Sequence, residues 1–336
     1  MEREIFFLQA INEALDIALE SDPDVILMGE DIAGGGRPDG KGVEEAWGGI
    51  MGATKGLATK YGRERVRDTP ISEIGFLGAA VGAATTGLRP VVELMFMDFI
   101  GVCLDPLLNQ AAKFRYMFGG KARVPLTVRT SIGAGVRSAA QHSQTLYWMT
   151  TGIPGLKTVC PATPEDAKGL LLASIRDDDP VVFCEPKSMM FTMGNVPEGD
   201  YEVPIGKARI AREGSDVTLV GIGRTVQMCL DAAQTLEGEG TSAEVIDLRS
   251  LQPMDEEAIL ESLGKTGRLV VADEATPRCG IASDIAALCV DKGFDLLDAP
   301  VRRVTAPHSP VPFSDLLEDA YMPSAQKIVD AVNSQA

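Results

Sequence analysis

Histidine and net positive charge are what this sequence has least of. Only two of its 336 residues are histidines, and 31 Lys and Arg residues face 48 Asp and Glu residues, a net charge of −17. Phosphate backbones and anionic membranes attract basic surfaces and repel acidic ones, which argues against a nucleic-acid-binding or membrane-binding protein. No apolar run reaches the ~18 residues of a membrane-spanning helix, and residues 1–4 lack the basic and apolar regions of a secretory signal. We therefore expect a cytoplasmic protein that binds neither nucleic acid nor membrane.

Paired cysteines and complete nucleotide motifs are also lacking. The six cysteines form no C-x-x-C pair, and several lie in apolar runs, as Cys160 does after Val159. This pattern indicates buried thiols in a reducing compartment. Gly221 and Gly223 follow a strand pattern, but Val226 stands where the third glycine of G-x-G-x-x-G belongs. We interpret that turn as an ordinary strand-to-helix connection.

Apolar runs typical of buried strands alternate with helical patterns along the whole chain. The strand patterns cover residues 25–28, 90–96, 124–128, 181–184, 216–220, 243–248 and 268–272. The helical patterns cover residues 7–19, 164–175, 225–237, 255–263 and 281–291. Nearly continuous apolar strands are buried on both faces, so this alternation predicts an α/β fold with parallel sheets.

The chain is too long for one average core, and the alternation lapses once. Residues 187–206 contain Pro and Gly without a clear period and are predicted to link an α/β domain of residues 1–186 to a smaller one of residues 207–336. The first 200 residues hold 26 acidic and 19 basic residues, and the remainder holds 22 and 12. The smaller domain is the more acidic, which favours a basic protein partner there, the alternative being plain solubility.

Two segments place polar residues where strands give way to loops or helices. Glu73 lies at the start of a helix rich in Gly and Ala, where the helix dipole stabilises a carboxylate that burial can tune. His142 follows a glycine-containing strand exit, which is where α/β sheets place ligands. The alternatives are a plain helix-terminal carboxylate and a hydrogen-bonded loop histidine. His308, in a Pro-rich turn, is interpreted as structural or interfacial.

Six segments, found in order along the chain, resemble the β subunit of the thiamine-diphosphate-dependent component of 2-oxo acid dehydrogenase complexes. They are Asp-Thr-Pro-Ile-Ser-Glu (68–73), Gly-Leu-Arg-Pro-Val-Val-Glu (87–93), Gln-His-Ser-Gln (141–144), Pro-Gly-Leu-Lys (154–157), Asp-Ala-Lys-Gly-Leu-Leu (166–171) and Leu-Asp-Ala-Pro-Val (297–301). The resemblance runs from about residue 4 to the C-terminus. It implies a transketolase-like fold, with a parallel-sheet pyrimidine-binding domain and a smaller α/β C-terminal domain.

The resemblance also implies roles for particular residues. By motif position, Glu73 is the glutamate that hydrogen-bonds the pyrimidine ring nitrogen of thiamine diphosphate and promotes its imino form. Met95 and Phe99 match the apolar contacts of the pyrimidine, and Ile71 matches a further position of the cofactor pocket. His142 matches the active-site histidine, expected to orient or protonate the substrate oxygen and the lipoyl thiol.

Metal binding is implied in two ways. Some relatives hold a monovalent cation, potassium, through backbone carbonyls and a carboxylate at positions that match Leu126, Ser174, Ile175, Asp177 and Asp179. Thiamine enzymes hold Mg²⁺ with a Gly-Asp-Gly stretch and a later Asn, and this chain contains no Gly-Asp-Gly. Because Mg²⁺ needs such oxygen ligands, the resemblance implies that an α subunit supplies them, in an α2β2 assembly.

Further segments resemble the acetoin-cleaving branch of this family, namely residues 45–49, 93–96, 113–122 and 306–313. The expected activity is cleavage of acetoin to acetaldehyde, with transfer of the acetyl unit to a lipoyl group on a dihydrolipoyl acyltransferase. One alternative is the decarboxylating dehydrogenation of pyruvate or a branched-chain 2-oxo acid. A more remote one is a non-catalytic subunit that only docks the acyltransferase.

Overall fold

Two parallel-rich sheets organise residues 3–34 and 47–335, which are the residues that the computed structural model describes. Residues 45 and 46 of the segment 45–49 lie outside them. Residues 1, 2 and 35–46 of the first predicted domain and residue 336 of the second do so as well. The strands are β1 (Glu4–Phe6), β2 (Val25–Gly29), β3 (Val66–Asp68), β4 (Arg89–Phe96), β5 (Thr127–Ile132), β6 (Lys157–Val159), β7 (Val181–Pro186), β8 (Met193–Asn195), β9 (Arg209–Arg212), β10 (Val217–Gly221), β11 (Ala243–Asp247), β12 (Ser250–Gln252), β13 (Leu269–Asp273) and β14 (Arg302–Thr305).

Helices cover the faces of both sheets. They are α1 (Phe7–Ser21), α2 (Leu57–Tyr61), α3 (Glu73–Thr85), α4 (Ala112–Met117), α5 (Trp148–Thr151), α6 (Pro164–Arg176), α7 (Thr225–Gly238), α8 (Glu256–Thr266), α9 (Ile281–Lys292), α10 (Asp315–Tyr321) and α11 (Ala325–Asn333). Short 3₁₀ turns occupy Met97–Val102, Lys187–Met189 and Phe294–Leu296, and a π-helical segment, Pro106–Ala111, leads into α4.

The larger sheet has the strand order β12-β6-β7-β5-β4-β2-β3. Its strands from β6 to β3 run parallel, so the loops that leave their carboxyl ends meet at one edge. The remaining strand of this sheet, β12, lies at one edge. It belongs to the later half of the chain and pairs antiparallel with β6. The chain after residue 206 therefore completes the sheet that the first part begins.

The smaller sheet has the order β14-β13-β10-β11-β9, in which β9 alone is antiparallel. Helices α7 and α11 pack on one face of it, and its strands β10, β11 and β13 are buried throughout. Burial on both faces explains why these strands are almost entirely apolar in sequence. The expected α/β fold with parallel-rich sheets is confirmed.

One predicted strand begins later than expected. The pattern indicated residues 124–128, whereas β5 covers Thr127–Ile132. Pro125 has no amide hydrogen to donate, and the amides of Val124 and Leu126 bond to carbonyls outside the ladder, those of Asp178 and Val124. The pairing with β4 therefore starts only at Thr127.

Residues 187–206, predicted as a linker, pack along the first part of the chain. Strand β8 pairs antiparallel with β1. Met189, Met190, Val196 and Val203 are buried in the core that α1 and α6 share. The apolar residues between the prolines and glycines explain this packing, and the exact domain boundaries stay a prediction. No helix within residues 3–34 and 47–335 is long and apolar enough to cross a membrane.

Candidate active site

Glu73 is the first residue of α3, directly after the short turn that leaves β3. Its side chain is half-buried, and no residue of the first turn offers a second acid. The buried Glu30, at the end of β2, lies close enough to feel its charge: burial raises the pKa of Glu30, and the Glu73 carboxylate raises it further. Burial likewise raises the pKa of Cys103 to about 12, with Glu73 again contributing. Glu73 thus lies near a second carboxyl group, that of Glu30, at the carboxyl edge of the larger sheet.

The surface beside Glu73 is open. Ile71 is 85% exposed and Ile74 is 50% exposed, although both are large apolar side chains. Helix α3 presents Gly75, Gly78 and Gly82 along its length, and added Cβ atoms at Gly78 and Gly82 would meet little or nothing. An exposed apolar face with so little side-chain bulk permits the close approach of a ligand or another chain.

A cluster of three rings marks the second half of the site. The imidazole of His142 lies edge-on to Phe96, with ring centroids 4.9 Å apart, and to Phe99, 5.5 Å apart. The half-buried Met95 lies beside Phe96 at the end of β4. The structure thus brings together Phe99 and His142, which the sequence analysis named, and adds Phe96, which it missed and which contacts both other rings. Phe96 ends a strand of mostly buried residues, so in the sequence it resembles an ordinary core residue. The roles of Met95, Phe99 and His142 stay predictions.

The loop that carries His142 is backbone-strained and firmly anchored. Arg137 and Ala139 adopt left-handed backbone conformations, at φ 60° and 59°, which L residues rarely do outside functional or turn positions. The carboxylate of Asp98 accepts from the amides of Ser143 and Gln144, each at 3.2 Å. The loop therefore holds its shape through contacts with residues far away in the chain.

Helix α3 and the His142 loop lie at the same edge of the larger sheet. Glu73 follows β3 and His142 follows β5, and these strands are parallel members of one sheet. Helix α3 packs on β4 and on residues 97–102, which also hold Phe99 and Asp98. Glu73 and His142 are thus joined through one short segment, at the place where α/β sheets bind ligands.

A buried ion cluster joins the neighbouring strands β4, β5 and β7 of the larger sheet. The guanidinium of Arg129 donates to Glu93 at 3.0 Å and to Glu185 at 2.7 and 3.1 Å. Burial raises the pKa of Glu185, and the Arg129 charge opposes that effect. The second oxygen of Glu93, Oε1, is buried and finds no hydrogen-bond partner in the described part of the chain. Gly49 makes room for it, because a Cβ at that position would lie 2.3 Å from this oxygen.

Of the five residues predicted for a monovalent cation, four have carbonyls that already accept hydrogen bonds, namely Leu126, Ser174, Ile175 and Asp177. Arg89 donates to the carbonyls of Ile175, at 3.3 Å, and Asp177, at 3.1 Å. The carbonyl of Ser174 accepts from the Thr127 hydroxyl at 3.0 Å, and that of Leu126 accepts from the Val181 amide at 2.9 Å.

The carboxylates of Asp177 and Asp179 in this loop also have partners. Asp177 pairs with Lys157 at 2.6 Å, and Asp179 pairs with Arg115 at 2.6 Å. A cation would compete with Lys157 and Arg115 for these two carboxylates. Cation binding here stays a prediction. Across residues 3–34 and 47–335, no group of three or more His, Cys, Asp or Glu side chains is arranged to hold a metal ion.

The pyrimidine half of thiamine diphosphate fits the residues that are present. A half-buried carboxylate, Glu73, can accept a hydrogen bond from a protonated ring nitrogen. The rings of Phe96 and Phe99 and the thioether of Met95 offer apolar and aromatic contacts to a planar heterocycle. The open face beside Glu73 leaves the remainder of such a ligand to be covered from outside this chain.

The fold and this site define a transketolase-like protein. The family model for the transketolase pyrimidine-binding domain matches residues 3–192, and that for the transketolase C-terminal domain matches residues 206–328. The chain belongs to this family, within the β subunits of acetoin and 2-oxo acid dehydrogenase complexes. Such β subunits imply an α partner, and the family implies dependence on thiamine diphosphate.

Individual relatives cover nearly the whole chain. It is 61% identical to the acetoin:2,6-dichlorophenolindophenol oxidoreductase subunit beta of Bacillus subtilis, over 98% of this chain and 96% of the relative. It is 55% identical to the subunit of the same name from Cupriavidus necator, over 98% and 97%. The mitochondrial pyruvate dehydrogenase E1 component subunit beta of Caenorhabditis elegans is 46% identical, over 96% and 90%. A solved split-gene transketolase, an inactive beta4 tetramer, superposes with a TM-score of 0.78 at 23% identity, covering 98% of both chains, and supports the fold.

Proposed function

We propose that this chain is the β subunit of a thiamine-diphosphate-dependent αβ enzyme that cleaves acetoin to acetaldehyde and transfers the acetyl unit to a lipoyl carrier. One observation carries the choice of substrate: identity is 61% and 55% to subunits named for acetoin, against 46% to a pyruvate dehydrogenase subunit. The nearest alternative is the decarboxylating reaction on pyruvate or a branched-chain 2-oxo acid.

Each residue of the site has a part in this proposal. Thiamine diphosphate, when bound, supplies the carbanion that attacks the ketone of the substrate. Glu73 would hold a proton at the pyrimidine ring nitrogen, and its partial burial strengthens that hydrogen bond. Phe99, Met95 and Ile71 would contact the ring and exclude water from it. His142 would donate to the substrate oxygen, because an imidazole can exchange a proton near neutral pH.

The partners follow from what the site leaves open. The exposed Ile71 and Ile74 beside Glu73 mark the face that an α subunit would cover, and that subunit would supply the Mg²⁺ ligands in an α2β2 assembly. The excess of 22 acidic over 12 basic residues after residue 200 suits a basic docking module of the acyltransferase. High salt should weaken this docking. The six unpaired cysteines suit a reducing cytoplasm.

Substrate feeding tests the proposal. The αβ complex is reconstituted and given acetoin or pyruvate, with 2,6-dichlorophenolindophenol as electron acceptor, and acetaldehyde and CO₂ are measured. We expect acetaldehyde from acetoin without CO₂, and little dye reduction with pyruvate. Faster turnover of pyruvate, with CO₂ release, would instead support the decarboxylating alternative. No thiamine-dependent turnover of either substrate would support a docking subunit.

A further inference from the structure

Lys187 is a buried lysine that contacts the backbone of His142. It begins the 3₁₀ turn after β7 and is only 3% exposed. Its Nζ donates to the carbonyl oxygen of His142. The same nitrogen lies 5.1 Å from the centroid of the Phe96 ring, which is also the ring nearest to the His142 imidazole. One cation therefore contacts both the loop and the aromatic ring against which the imidazole rests.

Asp98 holds the next two residues of the same loop. Its Oδ1 accepts from the amides of Ser143 and Gln144, and from the Gln144 side chain at 2.9 Å. Its Oδ2 is buried and has no hydrogen-bond partner among residues 3–34 and 47–335. Asp98 also precedes Phe99, the second ring in contact with His142. The ammonium group of Lys187 thus binds the carbonyl of His142, and the carboxylate of Asp98 binds the amides of Ser143 and Gln144.

Packing alone does not explain a buried lysine at this place. Burying an ammonium group is costly unless it is paired, and an apolar side chain would fill the space more cheaply. The contacts of Lys187 are directed at one backbone carbonyl and one ring, both belonging to the His142 cluster. The left-handed Arg137 and Ala139 in the same loop indicate a conformation that needs such restraint.

We propose that Lys187 and Asp98 are positioning residues that hold the backbone of residues 142–144, so that the His142 imidazole stays edge-on to Phe96 and Phe99 and directed at the substrate. The inference rests on the proposed function only in assuming that the reaction uses His142. Misplacement of a reacting group by about 1 Å can cost about 100-fold in rate. Loss of either side chain should therefore lower kcat more than it raises KM.

The charge of Lys187 should depend on pH in the range where the enzyme is assayed. Three carboxylates on other elements act on its charge, those of Asp98, Glu318 and Glu274, and its Nζ donates to the backbone carbonyl of His142. Two of them have cationic neighbours, Glu274 with Arg224 and Glu318 with Arg137. Burial lowers the pKa of Lys187 to about 8 in spite of the carboxylates. Deprotonation would weaken its hold on the carbonyl, so activity should fall as pH rises through about 8.

The test uses the reconstituted αβ complex and the fact that the chain has two histidines. Hydrogen–deuterium exchange at the imidazole C2 position, read by mass spectrometry, reports each histidine separately, with His308 as internal reference. The variants are Lys187→Met, Lys187→Arg and Asp98→Ala. The matched control is Lys207→Met, because Lys207 is exposed and lies 3.6 Å from a carboxylate oxygen of Asp255.

We expect Lys187→Met to lower kcat at least tenfold with little change in KM, and to shift the pH profile of C2 exchange at His142 but not at His308. Lys187→Arg should restore part of the rate and move the alkaline limb to higher pH, because guanidinium stays charged. Lys207→Met should behave as the wild type. Unchanged His142 exchange and unchanged kcat in Lys187→Met would overturn the proposal.

If Lys187→Met does not assemble, Asp98→Ala decides the question. It removes the acceptor for the amides of Ser143 and Gln144, and a normal exchange profile with normal turnover would then refute the positioning role. The exchange measurement reports on His142 whatever substrate the enzyme uses. A failure of the proposed acetoin activity would therefore leave this result intact, and the two failures can be told apart.

Discussion

The carboxylate of Glu318 accepts a hydrogen bond from the backbone amide of Gly135 at 2.8 Å, across 183 residues of sequence. It also accepts from the amide of Arg137, at 3.2 Å, and from its guanidinium. Glu318 lies on α10, in the later part of the chain, whereas Gly135 and Arg137 open the loop that carries His142. The C-terminal part of the chain thus holds the loop that carries His142.

Glu318→Gln should loosen this junction. A fully buried carboxylate that accepts charge-assisted hydrogen bonds contributes about 1–3 kcal/mol. We expect a lower unfolding temperature of the assembled complex by calorimetry, together with reduced turnover. Asp315→Asn is the control, because Asp315 pairs with the same Arg137 but is exposed, and such pairs contribute little. Equal effects of the two substitutions would contradict this role of Glu318.

The contribution of Glu318 should depend on pH. Burial raises its pKa, but the amides of Gly135 and Arg137 and the Arg137 guanidinium outweigh burial, so the pKa lies below its ordinary value of 4.5. Such a group stabilises the folded state above the ordinary pKa and loses that contribution as pH falls through the lowered one. The difference in unfolding temperature between wild type and Glu318→Gln should therefore be constant above pH 4.5 and shrink below it. A difference that grows with acidity would contradict this.

Glu73→Gln should nearly abolish turnover and leave α–β assembly intact. The amide has almost the same size but cannot take the proton from the pyrimidine nitrogen, and general acid–base catalysis contributes about 10²–10⁴-fold. Dye reduction measures activity, and gel filtration of the reconstituted complex measures assembly. Glu64→Gln, at an exposed position in the turn before β3, should leave both unchanged. Normal activity of Glu73→Gln would contradict the site assignment.

Arg129→Met should destabilise the protein strongly. It leaves Glu93 and Glu185 buried without their cation, and breaking a buried ion pair in this way costs about 3–5 kcal/mol. Arg123→Met removes the exposed pair with Asp178 and should change stability by less than about 0.5 kcal/mol. Thermal unfolding of the two purified variants gives the comparison. An Arg129→Met protein as stable as Arg123→Met would show that the cluster is not a structural support.

Potassium should not stabilise the wild-type protein. Arg89, Arg115 and Lys157 already donate to the loop that was predicted to bind it. We expect equal unfolding temperatures in KCl and in tetramethylammonium chloride of the same ionic strength. In Lys157→Met, which leaves Asp177 without its ion pair, potassium should raise the unfolding temperature relative to tetramethylammonium. A rise specific to potassium in the wild type would instead support the cation site that the resemblance implies.

The sequence by itself determined the alternation of strands and helices, because apolar periodicity reflects burial that each element experiences locally. It placed Glu73 at the start of a helix, as the structure does, and singled out His142. These features depend on neighbours within a few residues, so they can be recognised without knowing the fold. The acidic excess after residue 200 was equally visible.

Only the tertiary structure decided what holds His142 in place. Lys187 lies 45 residues from it, Asp98 is 45 residues from Ser143, and Glu318 is 183 residues from Gly135. The same holds for β12, which crosses from the later half of the chain to the edge of the first sheet. Buried polar contacts of this kind are specified by the packing of whole elements, and no local pattern of residues reports which distant charge will meet which backbone group.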